Sequence, residues 1–202
     1  LQAALDAATG NTSIILGADI EGNVTITELA NATVAINGNG HEFKGCFFID
    51  GNSLYEGGKT VFENIDFVTA DASTLVGGAF IYCGEENGTE FRYPDSVVIK
   101  DCTGTGLHSF LQNTSGWNLT IENVTVTDSK SGFALGTVQG VTVKGNNIDV
   151  DGYGIRLDAG YNNNAVIESN TVSAFIPVVV RKVNAESNVT FAGENRFTAE
   201  NA

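Results

Sequence analysis

IENVTV, at residues 121–126, is a phrase that returns three more times along this chain and decides its fold. The other copies are GNNIDV at 145–150, ESNTVS at 168–173 and GENRFT at 193–198. Their matching asparagines are 24, 23 and 25 positions apart: Asn123, Asn147, Asn170 and Asn195. A period of this size is typical of architectures that stack one structural unit on the next.

Each copy predicts three short strands separated by turns. In the clearest copy the strands are residues 141–143, 148–150 and 153–157, and apolar side chains alternate with polar ones along each of them. This alternation turns one face of every strand inward. A period of about 23 residues with three strands then describes a coil whose turns pair through parallel strands. We refer to one turn of this coil as a rung.

Earlier segments fit the same template less regularly. Asn64 follows an apolar strand, Asn39 does so one rung before it, and Cys102 takes the position of the asparagine in the rung after it. Stacked asparagines can bond side chain to side chain along the coil axis. Because the turn varies in length, not every asparagine need join one ladder. The 202 residues then correspond to a single domain, 1–202, of about eight rungs.

Both ends of the chain carry information. Leu1, Ala4, Leu5 and Ala8 form one helical stripe, so residues 1–10 are expected to be a helix that caps the coil. The last residues, 197–202, end within a rung, which indicates either a trimmed domain or a chain that continues. A chain without methionine is not a complete translation product, and a removed signal peptide is the simplest explanation.

The capping helix, the phrase VAINGNGHEFKG at residues 34–45 and the recurring asparagine turns carry a resemblance to a known family. The chain resembles the right-handed parallel β-helix superfamily of pectate lyases, polygalacturonases and related surface proteins. The resemblance implies an all-β fold, a right-handed parallel β-helix of about eight three-strand rungs. It covers nearly the whole chain, but its motifs are structural, and this fold hosts both enzymes and binding modules.

Composition narrows the partners. The net charge of −14 argues against nucleic acid, because phosphate binding needs clustered Lys and Arg. No apolar run is long enough to span a membrane. We therefore expect a secreted or cell-surface protein whose partner is a polysaccharide or a host or cell-surface glycan. The matches to N-x-S/T are interpreted mostly as a result of composition. The sequence leaves the oligomeric state undetermined.

The cysteine and histidine residues do not form a recognisable metal-binding motif. Cys46, Cys83 and Cys102 have no metal-ligand spacing, and buried free thiols are the favoured interpretation over a disulfide. His41 and His108 each lack a neighbouring Cys or His. We expect no metal and no cofactor, with calcium considered only if the protein is a lyase.

In the resembling enzymes the substrate lies along one outer sheet, which here includes residues 108–111 and 154–157. Arg156 is the one candidate for a lyase base, and His108 and Asp158 are the other candidate catalytic residues. Asp149, Asp151 and Asp158 are candidate calcium ligands, although Asp149 lies on a different sheet from Arg156. A solvated ion pair of Arg156 is the favoured alternative.

The catalytic strings of polygalacturonases are absent, since residues 154–157 read GIRL and lack the lysine of R-I-K. The family's catalytic residues therefore cannot be transferred position by position, and whether the chain is an enzyme stays open.

Two loops, 69–78 and 84–95, depart from the repeat and lie near most of the exposed-looking aromatic residues. Aromatic faces beside polar groups suit stacking on sugar rings. The candidate carbohydrate-binding residues are Trp117, Tyr93, Phe91, Arg92 and Tyr82. Alternatively, Trp117 and Tyr93 clamp their loops onto the coil. The favoured function is a carbohydrate-binding or adhesin-like module, and the alternative is a divergent polysaccharide lyase or glycoside hydrolase acting on a uronate-containing glycan.

Overall fold

The computed structural model describes residues 1–50, 57–68, 79–83, 94–106, 108–159, 164–182 and 188–200. Apart from one short helix, its regular structure consists of strands, and all pairings between rungs are parallel. The expected class, an all-β parallel β-helix, is confirmed.

The elements follow one another in a fixed cycle of strands. They are α1 (Gln2–Asp6), β1 (Thr12–Ile15), β2 (Ile20–Glu21), β3 (Val24–Thr27), β4 (Thr33–Asn37), β5 (Glu42–Lys44), β6 (Phe47–Asp50), β7 (Lys59–Glu63), β8 (Asp66–Val68), β9 (Ala79–Cys83), β10 (Val97–Lys100), β11 (Thr103–Thr105), β12 (Ser109–Gly116), β13 (Leu119–Glu122), β14 (Thr125–Val138), β15 (Val141–Lys144), β16 (Asn147–Ala159), β17 (Asn164–Glu168), β18 (Thr171–Lys182), β19 (Asn188–Ala192) and β20 (Arg196–Ala199).

The first strand of each rung forms the first sheet, which stacks eight strands in the order β1-β4-β7-β10-β13-β15-β17-β19. The second and third faces are continuous with each other because β14, β16 and β18 each run across both. We call the part that contains β3, β6, β9, β12 and the later halves of β14, β16 and β18 the third sheet. The last rung has two strands among the described residues, so complete turns are slightly fewer than the expected eight.

The corner after the first sheet has the same backbone conformation in successive rungs. One residue adopts a left-handed conformation with φ between 52° and 65°, and the next side chain enters the core. The left-handed residues are Asn64, Asp101, Asn123, Gly145, Ser169 and Gly193. The residues that follow the left-handed position in the core column are Ile65, Cys102, Val124, Asn146, Asn170 and, one residue later, Asn195. Asn, Asp and Gly are the residues that tolerate this conformation best.

An asparagine ladder exists in the later rungs, and its members are Asn146, Asn170 and Asn195. Asn146 Nδ2 donates to Asn170 Oδ1 at 2.9 Å, and Asn170 Nδ2 donates to Asn195 Oδ1 at 3.2 Å. Each Oδ1 also accepts a backbone N–H of the preceding rung, as in Val124 N to Asn146 Oδ1 at 2.9 Å. These bonds satisfy amides that would otherwise be costly to bury.

Asn123 and Asn147, two of the four repeated asparagines, lie outside this ladder. Asn123 is the left-handed corner residue of its rung, and its Nδ2 bonds to Asp101 Oδ1 at 3.2 Å. Asn147 begins β16 with an exposed side chain. The physical reason is that both the corner position and the inward position accept asparagine. Asn123 and Asn147 therefore match in the sequence repeat but occupy different positions in their rungs.

The core changes along the coil. Its early rungs are filled by fully buried phenylalanines, whose rings stack or meet edge to face, as in Phe43 and Phe47 with ring centroids 4.0 Å apart. These residues are Phe43, Phe47, Phe48, Phe62, Phe67, Phe80, Phe110 and Phe133. Later rungs use Val, Ile and Leu together with the amide ladder. Cys46, Cys83 and Cys102 are buried thiols, the arrangement that the sequence favoured over a disulfide.

The N-terminal helix covers the first rung, as expected, although α1 is shorter than residues 1–10. Leu5 is buried against the core. The Gln2 side-chain amide bonds to the edge of β3 as the backbone of a neighbouring strand would. Its Nε2 donates to Thr25 O at 3.0 Å, and its Oε1 accepts from Thr25 N at 2.9 Å. The exposed edge of β3 is thereby partly satisfied.

The amide ladder leads to a test with two adjacent residues. Asn146→Ala removes the partners of Val124 N and Ile121 O in the core, and we expect the free energy of unfolding to fall by about 3 kcal/mol. Asn147→Ala, the matched control, changes an exposed side chain and should cost less than about 0.5 kcal/mol. Chemical denaturation measures both. Equal losses in the two variants would contradict the assigned register.

Candidate functional site

A groove lies on the outer face of the third sheet. Its cavity has a volume of about 370 Å³. Its polar and aromatic lining combines side chains from three successive rungs: His108, Gln112, Lys130, Ser131, Tyr153 and Arg156. The groove therefore offers hydrogen-bond donors, positive charge and a ring on a rigid sheet.

Strand alternation and register place these side chains. On β16, Ile155 and Leu157 are buried, so Arg156 between them faces outward. Arg156 pairs with Ala134, Ala134 pairs with Gln112, and Gln112 pairs with Tyr82. Outward side chains at these positions form one row across four strands, with a length of about 14 Å. The register continues beyond them, from Tyr82 to Phe48 and from Arg156 to Val179.

Tyr153 reaches the groove from a tight corner of the coil. Its side chain is 42% exposed, and its neighbour in the preceding rung is Ser131. The corner requires glycine at position 154, since a Cβ there would lie 2.6 Å from the carbonyl oxygen of Pro177. The backbone next to Tyr153 therefore packs closely against the following rung.

Arg156 is held by a neighbour on its own strand. Its Nη2 donates to Asp158 Oδ2 at 2.8 Å, and Arg181 of the next rung donates to Asp158 Oδ1. Hydrogen bonds from Arg181 and Arg156 hold the pKa of the Asp158 carboxyl below its usual range, despite its partial burial. Two guanidinium groups thus share one carboxylate, and this cluster retains an excess positive charge.

The structure brings two of the three candidate catalytic residues into the groove, namely His108 and Arg156. Asp158 is connected to them through its ion pair with Arg156. The candidate calcium ligands are not gathered there. Among the described residues, no group of three or more His, Cys, Asp or Glu side chains could hold a metal ion.

The candidate carbohydrate-binding residues divide between two places. Tyr82 belongs to the groove's outward row. Trp117 lines a different cavity, of about 410 Å³, together with Gly57, Asp95 and Asn118. Phe91, Arg92 and Tyr93 lie outside the described residues. Trp117 N donates to Pro94 O at 3.1 Å, which joins the backbones of these two residues. The interpretation that the Trp117 and Tyr93 side chains clamp their loops stays a prediction.

A pair of buried carboxylates adjoins the Trp117 cavity. Glu28 is 4% exposed and Asp95 is 7% exposed. Glu28 Oε2 accepts from Asp95 N at 2.6 Å, which links residues far apart in sequence. Burial raises the pKa of Glu28 to about 7, and the nearby charge of Asp95 adds to this effect. Asp95 therefore contributes to both the pair and the cavity wall.

Sequence reasoning missed several residues of these two places: Gln112, Lys130, Tyr153, Glu28 and Asp95. Gln112 could have been found, because it follows buried Leu111 in β12 and therefore faces outward by strand alternation. Lys130 and Tyr153 could not, because the pairing of β14 with β16 shifts register between Val126 and Ser131.

None of the helical segments within the described residues has the length and apolar character needed to cross a bilayer.

The fold and the groove define a parallel β-solenoid with a polar outer face. The model of the family described as periplasmic copper-binding protein (NosD) matches residues 67–175, which is more than half of the chain. The chain belongs to the NosD family. This membership supports a location outside the cytoplasm, in the periplasm or beyond it. The comparison with curated proteins found no match, and neither did the comparison with solved structures.

The buried carboxylate pair predicts an unusual pH dependence of stability in buffer free of divalent cations. The folded-state pKa of Glu28 is about 7, above its ordinary value of 4.5. Between these values the folded protein holds a proton that the unfolded chain releases, so stability is fully present below pH 4.5 and is lost as the pH rises through 7. The loss should be on the order of 2–3 kcal/mol.

Denaturation of the wild type and of Glu28→Gln from pH 4.5 to pH 8 measures this loss. The variant should lack this component of the decline, whereas Glu21→Gln, which changes an exposed side chain, should retain it. A wild-type decline that persists unchanged in Glu28→Gln would show that Glu28 does not titrate in this range.

Proposed function

We propose that this protein is a carbohydrate-binding module of the periplasm or cell exterior, and that a glycan segment lies in the groove of the third sheet. The observation that carries the proposal is the exposed ring of Tyr153 beside Lys130 and Arg156. A sugar ring presents apolar C–H bonds to an aromatic face and hydroxyl groups to the polar side chains around it.

The charge of the groove supports an acidic sugar. The whole chain carries −14, yet Lys130 and Arg156 line this groove and Arg181 lies in the adjacent rung. A local excess of positive charge on an acidic protein directs anionic groups to that place. Guanidinium and ammonium groups bind carboxylates well. We therefore expect preference for glycans with carboxylate groups over neutral ones.

The row of outward side chains indicates the direction in which a bound glycan would run. Tyr82, Gln112 and Arg156 are spaced across successive strands, so a linear chain could lie parallel to the coil axis and contact each in turn. The rigid sheet holds these groups without the entropy cost of ordering a loop. Trp117, which lines the other cavity, stays a predicted contact, and so do Phe91, Arg92 and Tyr93, which lie outside the described residues. Attachment to a cell surface in an adhesin-like role is part of the same proposal.

The alternative is a polysaccharide lyase or glycoside hydrolase. The observation that favours it is that His108 and Arg156 line one groove. Against a base role for Arg156 is its bond to Asp158, which already engages Nη2 of the guanidinium. Release of unsaturated or reducing sugars by the wild type, abolished in Arg156→Ala, would establish the enzyme.

The description of the family raises copper as a ligand. Copper prefers thiolate, thioether and imidazole ligands. This chain has no methionine and only two histidines, of which His41 bonds to Asp19 at 3.3 Å, away from His108. Burial raises the pKa of the Cys102 thiol to about 12, which disfavours the thiolate. The donor set does not fit copper, and we propose that the function requires no metal.

Binding to a panel of acidic and neutral oligosaccharides, measured by calorimetry, tests the groove. We expect Tyr153→Ala to weaken binding of the best acidic ligand about tenfold, because a stacking contact is worth about 1 kcal/mol or slightly more. Lys130→Gln should weaken acidic ligands more than neutral ones.

Matched controls change the same side-chain types on the first sheet. Phe191→Ala removes an exposed ring and Lys144→Gln removes an exposed ammonium group, and both should leave affinity unchanged. If Trp117→Ala abolishes binding while Tyr153→Ala does not, the glycan binds at the Trp117 cavity instead of the groove.

Copper retention tests the remaining proposal. Protein incubated with Cu(II), or with Cu(I) under reducing conditions, and then desalted should retain far less than one copper per chain. Elemental analysis gives the ratio, and electron paramagnetic resonance reports the ligands of any Cu(II). One retained copper per chain with nitrogen or sulfur ligation would contradict the proposal.

A further inference from the structure

The corner that leads into the first sheet contains the two buried carboxylates Glu28 and Asp95. Glu28 follows β3, and Asp95 lies shortly before β10. Both side chains are more than nine-tenths buried. Neither lies in the groove of the third sheet, so a ligand held by this pair is independent of glycan binding in that groove.

Each carboxylate uses one oxygen and leaves the other without a partner. Glu28 Oε2 accepts from Asp95 N, and Asp95 Oδ2 accepts from Gly57 N at 2.7 Å and from Gly58 N at 3.2 Å. Glu28 Oε1 and Asp95 Oδ1 are buried and have no hydrogen-bond partner among the described residues. Buried carboxylate oxygens without partners are costly and call for an explanation.

Two like charges in one buried place need a positive partner. A single proton neutralises one carboxyl group and leaves the other charged. A divalent cation can neutralise both and can coordinate the two free oxygens at once. Neutralisation by a divalent cation also fits a chain whose net charge is −14.

Access and additional ligands come from the cavity beside the pair. Asp95 lines this cavity together with Gly57, Trp117 and Asn118. Its volume of about 410 Å³ is large enough for several water molecules, each of which occupies about 30 Å³ in the liquid. A cation entering through it would keep part of its water shell.

We propose that Glu28 and Asp95 hold a hard divalent cation, Ca²⁺ or Mg²⁺, between their free oxygens Oε1 and Oδ1, with water completing the coordination. Both ions take oxygen ligands, and Mg²⁺ in particular is commonly bound by one or two carboxylates and several waters. The ion would join the turn after β3 to the turn before β10, with the Gly57–Gly58 backbone bound to Asp95 between them. It would therefore fasten the corner of three successive rungs.

The single tryptophan of the chain reports on this place, since Trp117 lines the same cavity as Asp95. The experiment is a titration of the metal-free protein at pH 7.5 with CaCl₂ and, separately, with MgCl₂, followed by tryptophan fluorescence. We expect a saturable change with at least one ion and a rise in Tm of about 5 °C at an ion concentration of 100 times Kd. The two arms identify which ion binds.

Variants assign the response to the pair. Glu28→Gln, a neutral isostere, should fold and lose the fluorescence change and the Tm rise, and Asp95→Asn should do the same. Asp19→Asn, which alters an exposed carboxylate at another corner, should retain both responses. The absence of a saturable response in the wild type up to millimolar ion, or its persistence in Glu28→Gln, would overturn the proposal and leave a proton as the occupant of the pair.

Discussion

The parallel hydrogen bonding between rungs is the constraint on which the rest of this structure depends. Each rung can pair with its neighbours in register only if the chain turns in the same way at every corner. At the corner after the first sheet this requires a residue in the left-handed conformation, such as Asn64 or Gly145, followed by an inward side chain. The inward side chain can be apolar, as Val124 is, or an amide whose bonds continue into the next rung, as Asn146 and Asn170 show. Once the corner is fixed, strand alternation decides which side chains reach the outer face.

Much of the fold could be predicted because it follows from local patterns. The period, the three strands per rung and the inward apolar residues are all visible in the sequence, and so is the stripe of the capping helix. The identity of the ladder could not be predicted with the same certainty. Adjacent asparagines at 146 and 147 offer the same side chain to an inward and an outward position, and only the register with Val124 distinguishes them.

In the candidate site, too, some residues could be placed from local sequence patterns and others could not. Arg156 could be placed outward from its buried neighbours, and His108 from its position at the start of a strand. Lys130 and Tyr153 depend on register shifts within β14 and β16, which composition does not reveal. The contact between Glu28 and Asp95 is harder still to predict, because it joins residues 67 positions apart in the sequence. Contacts of this kind depend on how rungs stack, and the repeat pattern does not encode them.

The groove of the third sheet, and not the Trp117 cavity, is the proposed place of the glycan. Titration of ¹⁵N-labelled protein with the best-binding acidic oligosaccharide tests this most directly, because Gln112 and Trp117 each carry a side-chain N–H signal. Saturable shifts at the Gln112 amide and at backbone signals around Tyr153, with the Trp117 indole unmoved, are the predicted result. Shifts centred on the Trp117 indole, with the Gln112 amide unmoved, would contradict it.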